Sequence, residues 1–218
     1  MAVFDLDRLI PFGTYADGTP ATHDFDALGA LKVQAVNPPA RSSAVFTIVN
    51  GARVRGYEAF YLGPWTRVNN VPHLVANGVQ ASVFFEEMAE MADSMVDILV
   101  ARRTQFALEG WNSFRDAPEE MRPRPIVYAV DEWSNIAGTL HSNDPATLRE
   151  NELRKRATEA SVELYRFGAP YRIHTVISQD SDPSGDPSGA CLSLTKPGFA
   201  DYQDGRGFMA EVALWKRD

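Results

Sequence analysis

The sequence predicts an α/β fold with a mainly parallel sheet, and three features point to it. The apolar run at 126–130 is typical of a strand that is covered on both faces. Two long amphipathic helices are predicted over 82–110 and 144–168. A segment rich in β-branched residues follows at 171–178. Strands and helices therefore alternate along the chain, which is typical of parallel sheets.

Length and composition indicate an ordinary globular chain. With 218 residues, 44% hydrophobic and 23% charged, we expect one domain over 1–218, in which 1–30 forms lead-in strands and turns. The net charge of −8 argues against a surface that is positive throughout, although local basic patches are compatible with it. The single Cys191 excludes an intrachain disulfide. Because no signal peptide or membrane span is apparent, we expect a cytoplasmic protein.

The first third of the chain contains short predicted elements. After short strands and turns over 9–30, a first core strand is predicted at 28–36. The apolar stretch 42–50 fits either a helix or a strand, and Gly51 is its expected end. Only 53–62 remains for the next strand, which we therefore expect to be short.

The helix predicted over 82–110 has Ser82 as its expected N-cap and Gly110 as its expected end. Its apolar residues recur at spacings of three and four, which places them on one face. We interpret this face as core packing rather than as a cofactor groove. The residues of this face are Phe84, Met88, Met91, Met95 and Ile98.

The second long helix is predicted to begin with Asp144 as N-cap and Pro145 in the first helical position, and to end at Gly168. The charged run 149–156 within it is interpreted as a solvated face, with a nucleic-acid contact as the alternative. Beyond the strand at 171–178, the tandem Asp-Pro-Ser-Gly repeat at 182–189 predicts a flexible loop. A final strand is expected over 207–215.

Two acidic residues, Asp131 and Glu132, directly follow the apolar run at 126–130. Open α/β sheets bind ligands beyond the carboxyl ends of their strands. In nucleotide hydrolases such a pair orients Mg²⁺ and polarises the attacking water. The alternative is that these are simply acidic residues at a strand end.

The segment 123–136 resembles the Walker B region of the FtsK/SpoIIIE family of DNA translocases, within the FtsK/HerA superfamily. The segment 88–112, with the basic pair Arg102-Arg103, looks like that family's long helix. The segment 166–179 looks like the stretch that ends in a strand and a polar Gln. The resemblance implies a shortened three-layer P-loop NTPase fold, of the RecA-like type.

The resemblance also implies a function. It predicts an ATP-dependent motor domain that moves or transfers double-stranded DNA, with ATP and Mg²⁺ as cofactors. It implies a homo-oligomeric ring or pairing with a homologous motor. By the same resemblance, Asp131 and Glu132 would handle Mg²⁺ and water, and Gln179 would sense the γ-phosphate.

The phosphate-binding loop of such a protein follows the pattern Gly-x-x-x-x-Gly-Lys-Ser/Thr. In this chain only 35–42 fits that register, and it departs from the pattern: both glycines are alanine, Arg41 replaces lysine, and Pro38 and Pro39 lack N–H donors. Ser42 is retained and is the candidate Mg²⁺ ligand together with Asp131. The candidate nucleotide-binding residues are Ala35, Ala40, Arg41, Ser42 and Ser43.

Three functional hypotheses follow from the sequence. The first is the ATP-dependent motor. The second is a catalytically inactive relative of such motors that acts as a binding or regulatory subunit. The third is a different α/β enzyme whose carboxylates act on another substrate. Residues 35–42 also have a simpler interpretation, a proline-containing connection between a strand and a helix.

Overall fold

The computed structural model describes residues 9–35, 37–63, 71–180, 190–196, 199–206 and 208–214. The strands are β1 (Ile10–Tyr15), β2 (Pro20–His23), β3 (Leu31–Gln34), β4 (Glu58–Leu62), β5 (Gln80–Ser82), β6 (Ile126–Val130), β7 (Ile173–Gln179), β8 (Ala190–Lys196), β9 (Phe199–Gln203) and β10 (Met209–Leu214). The helices are α1 (Phe25–Leu28), α2 (Pro38–Val54), α3 (Val71–Ala76), α4 (Phe85–Glu109), α5 (Trp133–Ala137) and α6 (Pro145–Phe167).

All ten described strands belong to one sheet, in the order β2-β1-β10-β9-β8-β3-β7-β6-β4-β5. The block from β8 to β5 is parallel throughout. The remaining strands join its β8 side through antiparallel pairs. The predicted α/β fold with a mainly parallel sheet is confirmed.

Strand β6 explains how the layers form. All its residues are buried, and it lies between β4 and β7 in the middle of the parallel block. Val127 and Ala129 pack with α2 on one face, while Ile126, Tyr128 and Val130 pack with α4 and α6 on the other. Since successive side chains of a strand point to opposite faces, this apolar run requires helices on both sides of the sheet.

Helices α4 and α6 pack against each other over one face of the sheet, and charged side chains join them. Arg149 of α6 binds Glu86 of α4 at 2.7 Å, and Arg156 binds Asp93. Arg154 is buried and binds Glu150. The charged run 149–156 thus connects helices, and only part of it is a solvated face.

The ambiguous stretch 42–50 is helical and belongs to α2. The prediction that Gly51 ends this helix is wrong, because α2 continues to Val54. A Cβ at Gly51 would lie 3.1 Å from Cγ2 of Ile10 and 3.3 Å from the carbonyl oxygen of Pro11. Glycine therefore serves here to let α2 approach β1 closely.

The predicted cap of α4 is also wrong. Ser82 is the last residue of β5, and Phe84 occupies the N-cap position without a side-chain cap bond. Gly110 ends α4 in the left-handed conformation, as predicted. The expected start of α6 is confirmed, because the Asp144 side chain accepts a hydrogen bond from the Thr147 amide.

The C-terminal region contains more strand than the sequence indicated. The prediction placed only one strand beyond 178, whereas β8 and β9 precede β10. The Asp-Pro-Ser-Gly repeat lies outside the described residues, as do Gly207 and 215–218. In the described part of the chain, no helix is both long enough and apolar enough to cross a membrane.

Candidate functional site

The candidate site lies at the carboxyl ends of three neighbouring strands. In the sheet β7 lies between β3 and β6, and all three run parallel. The residues that follow each strand therefore meet at one edge. Gln179 pairs in register with Gln34, the last residue of β3. The topology thus brings residues 35 and 37–42, Asp131-Glu132 and Gln179 to one edge of the sheet.

The carboxylate of Asp131 is fully buried and occupied by protein donors. Its Oδ2 accepts from the Tyr61 hydroxyl at 2.9 Å. Its Oδ1 accepts from the Ser178 hydroxyl and, at 3.0 Å, from the Glu132 amide. Three donors to one carboxylate satisfy most of its acceptor capacity. Through these hydrogen bonds the Asp131 side chain links the end of β6 to β4 and β7.

Glu132 occupies an uncommon backbone conformation next to this carboxylate. With φ at 53° and ψ at 56°, it is one of two described non-glycine residues with positive φ. Its amide also approaches Ser178 Oγ at 2.7 Å. Such strained positions concentrate at functional sites. The half-buried Glu132 side chain follows β6 at the start of α5.

The connection after β3 is short and closed by a cap. Helix α2 begins at Pro38, four residues before Ser42, with Asn37 as its N-cap. The Asn37 side chain accepts from the Ala40 amide at 3.3 Å, and its carbonyl accepts from the Arg41 amide at 3.2 Å. The prolines at the first two helical positions have no N–H. Residues 38–41 thus offer no amide that is not already bonded.

Arg41 is buried, and its guanidinium folds back onto the protein. Its Nη1 donates to the Ala35 carbonyl and to the Asp180 carboxylate. Asp180 also accepts from the Ser134 hydroxyl at 3.0 Å. Hydrogen bonds from Arg41 and then Ser134 hold the pKa of the Asp180 carboxyl below its ordinary value. We call these three residues the Arg41–Asp180–Ser134 cluster.

The two serines of the predicted loop differ in environment. Ser42 is buried, and its Oγ has no hydrogen-bond partner among the described residues. Ser43 is exposed on the outer side of α2, where its carbonyl accepts from Thr47. A buried hydroxyl without a partner is uncommon in proteins. Ser42 therefore has unused hydrogen-bonding capacity at the site, whereas Ser43 faces away.

The sequence matches no protein-family model and no curated protein. Solved structures do match. The monomer form of the pCW3 conjugation coupling protein TcpA with ATPγS is 10% identical, with a TM-score of 0.75 over 98% of this chain and 67% of TcpA. The cytoplasmic domain of EssC is 11% identical, with a TM-score of 0.70 over 99% of this chain and 45% of its own.

A third structure extends the same comparison. Thermomonospora curvata EccC (ATPases 2 and 3), in complex with a signal sequence peptide, is 12% identical, with a TM-score of 0.65 over 97% of this chain and 41% of its own. The fold is that of the FtsK-type motor ATPases. The resemblance noted in the sequence is thus confirmed for the fold. The present chain spans less than half the length of the EssC and EccC chains.

Within this FtsK-type fold, the site does not fit a bound triphosphate and Mg²⁺. A phosphate cradle needs converging backbone N–H groups. Here Pro38 and Pro39 lack them, and Asn37 takes the next two. The Arg41 charge is bound to Asp180. Asp131, the expected Mg²⁺ ligand, already binds three protein donors. At the site, the buried Oγ of Ser42 and Nε of Arg41 have no hydrogen-bond partner among the described residues.

Apart from Ser43, which faces away, the predicted site residues are brought to one edge of the sheet, but their functional roles stay predictions. Sequence reasoning missed Asn37, Tyr61, Ser134, Ser178 and Asp180. Asn37 had a local signal, because Asn before Pro-Pro is an N-cap pattern. Ser178 and Asp180 flank the predicted Gln179, so the same strand-end argument would have found them. The hydroxyl of Tyr61 gave no signal, since it belongs to an apolar strand.

Proposed function

We propose that this chain is a non-hydrolysing module with the FtsK-type motor fold, which acts as a binding or regulatory subunit. One observation carries this proposal: the start of α2 is closed by Pro38, Pro39 and the Asn37 cap, so residues 38–41 present no free amide to phosphate. The Arg41–Asp180–Ser134 cluster supports it, because protein groups neutralise the charge that a phosphate would require.

The proposed subunit works beside a homologous motor domain. The EccC structure is described as ATPases 2 and 3, so that chain contains more than one such module. A module that keeps the fold while losing the phosphate cradle can still pack against an active neighbour. Pairing with a homologous motor is therefore favoured here over a ring of identical subunits. A cytoplasmic location accompanies this proposal, since the EssC structure is described as a cytoplasmic domain.

Double-stranded DNA is a weaker candidate partner than protein. The basic run 149–156 is largely committed to ion pairs with α4 and within α6. With a net charge of −8, the chain lacks the general positive potential of nucleic-acid-binding proteins. A protein partner fits these charges better.

The second candidate function is the ATP-dependent DNA translocase. The strained Glu132 after the buried Asp131 and the unpartnered Oγ of Ser42 favour it. In that case Asp131 and Ser42 would hold Mg²⁺, Glu132 would act on water, and Gln179 would contact the γ-phosphate.

The two candidates separate in a steady-state assay of ATP hydrolysis with Mg²⁺, with and without double-stranded DNA. The wild type and Glu132→Gln are compared, because the substitution removes the carboxylate without changing the size of the side chain. The non-hydrolysing module shows the same background rate in both proteins. DNA-stimulated turnover that Glu132→Gln abolishes would establish the motor instead.

A further inference from the structure

A groove lies on the opposite side of α4 from its packing with α6, at the edge of the sheet. It is lined by the start of β4, by β5 and by one side of α4, and has a volume of about 620 Å³. Its apolar lining is formed by Phe60, Met91, Met95 and Ile98. Met91 and Ile98 are only half-buried. Methionine side chains adapt to varied apolar partners. The groove therefore offers an adaptable apolar floor.

The rim of this groove is acidic. Glu58, Glu87 and Glu90 line it, and none of the described lining residues is Lys or Arg. Two arginines near the rim are already engaged: Arg124 binds Glu58 at 3.5 Å, and Arg156 binds Asp93. The charge complementary to this rim is positive.

One wall of the groove is β5, the strand at one edge of the described sheet. β5 is the last strand in the sheet order and pairs only with β4 among the described strands. Extended peptides bind such edges by adding a strand, with main-chain hydrogen bonds for affinity and side-chain pockets for specificity.

We infer that this groove binds an extended segment of a partner protein in which apolar residues and Lys or Arg alternate along one face of the strand. The segment adds to β5 and turns every second side chain toward α4, so that the apolar ones lie over Met91 and Ile98 and the cationic ones reach Glu87 and Glu90. The groove contains none of the candidate nucleotide-site residues. The inference therefore goes beyond the proposed function and does not depend on it.

The test is fluorescence anisotropy of the full chain with three labelled peptides of equal length. Thr occupies every second position, and the remaining positions alternate Val with Lys, Val with Glu, or Ser with Lys, so that both residue types lie on one strand face. We expect saturable binding of the Val-Lys peptide. The affinities of the other two should be about tenfold weaker or weaker still, because the Val-Glu peptide lacks the cationic groups and the Ser-Lys peptide lacks the apolar ones. Equal binding of the Ser-Lys peptide would mean general charge attraction and would overturn the inference.

Variants locate the binding. Glu87→Lys/Glu90→Lys should weaken Val-Lys binding about tenfold, and Met91→Ser should weaken it without changing net charge. The control is Glu109→Lys/Glu120→Lys, two exposed residues outside the groove with the same change in charge. Equal loss in both double variants would overturn the inference. Self-association of the wild type that Glu87→Lys/Glu90→Lys abolishes would identify a second copy as the occupant, and would also overturn it.

Discussion

Arg41 is the residue whose role in the structure differs most from the role that the sequence predicts. In the sequence it stands where a phosphate-binding loop carries lysine. In the structure its guanidinium is 3% exposed and binds Ala35 and Asp180. A planar fork with several donors suits a carbonyl and a carboxylate at once. Arg41 therefore closes the connection after β3 instead of leaving it open to a ligand.

The structural role of Arg41 predicts the effect of Arg41→Ala. The substitution should lower the free energy of unfolding by about 2 kcal/mol, because it leaves the buried Ala35 carbonyl without this donor. Urea unfolding without nucleotide measures this effect. Arg149→Ala is the control, since the exposed pair with Glu86 should contribute no more than about 1 kcal/mol. If Arg41→Ala were as stable as the wild type, the closing role would be refuted.

Asp131 is likewise structural in this arrangement. We expect Asp131→Asn to destabilise the fold by about 2 kcal/mol. The new side-chain NH₂ group is a donor, and it would point at a group that now donates to the carboxylate, either a hydroxyl or the Glu132 backbone N–H. Tyr61→Phe, which removes a single donor, should cost about 1 kcal/mol. Chemical denaturation of both variants tests this order. If Asp131→Asn were as stable as the wild type, the carboxylate would not be the group that links β4, β6 and β7.

Part of the site could be predicted from the sequence at the scale of residues. The strand end at Asp131 could be predicted, because the apolar run before it is typical of a buried strand. The Arg41–Asp180 contact was not, since 139 positions separate the two residues and either could equally face solvent. The Asn37 cap had a local signal in the Pro-Pro pair that follows it, but its effect on the free amides could not be assigned before the start of α2 was known.

Among the elements, α2 was the least determined by its sequence. Its β-branched residues fit both a helix and a strand, and tertiary packing against β1 and β4 decides for the helix. By contrast, α6 has a strong cap and first-turn proline, so its start was predictable. β8 and β9 were missed because they add to the sheet next to a turn-rich repeat and lack a long apolar run.

The close approach of α2 to β1 gives a prediction for Gly51→Ala. In an ordinary helix this change stabilises by about 0.5–1 kcal/mol. Here the added methyl meets the backbone of Pro11, which belongs to a paired strand, so we expect a net loss of about 1 kcal/mol. Thermal unfolding beside the exposed control Ser43→Ala tests it. If Gly51→Ala were more stable than the wild type, β1 would have moved to accommodate the methyl group, and the prediction would be wrong.

At the scale of the whole molecule, buried histidines hold α1 and the residue after it, which connect the antiparallel β2 to the parallel β3. His23 of β2 hydrogen-bonds the hydroxyl of Tyr202 in β9 and the Gly29 carbonyl. His174 of β7 hydrogen-bonds Asp26 and stacks on Phe25. Burial lowers the pKa of His23 to about 4, against the opposing effect of the Gly29 carbonyl. Burial also lowers the pKa of His174.

These groups predict how stability depends on pH. Since the pKa of His23 is lower in the folded state, the unfolded chain binds more protons between pH 6.5 and 4. Stability should therefore fall as pH decreases through this window, by about 3 kcal/mol at most from His23. Urea unfolding across the window measures it. His23→Gln should flatten the dependence and the exposed His73→Gln should not; an unchanged slope in His23→Gln would refute the assignment.

The whole fold was more predictable than the state of its site. Alternating strands and helices and the segment 123–136 pointed to the motor fold, and solved structures at 10–12% identity share it. The fold persists because apolar patterning determines it. The phosphate cradle depends on a few backbone amides at the start of α2, and prolines at two positions are enough to remove donors there.

Calorimetric titration of the wild-type chain with ATPγS and Mg²⁺ tests the central claim most directly. Closure of the start of α2 by Asn37, Pro38 and Pro39, with Arg41 engaged by Asp180, predicts no saturable heat up to millimolar nucleotide. Micromolar binding that requires Mg²⁺ and is lost in Arg41→Ala would contradict it, and would establish a working nucleotide site.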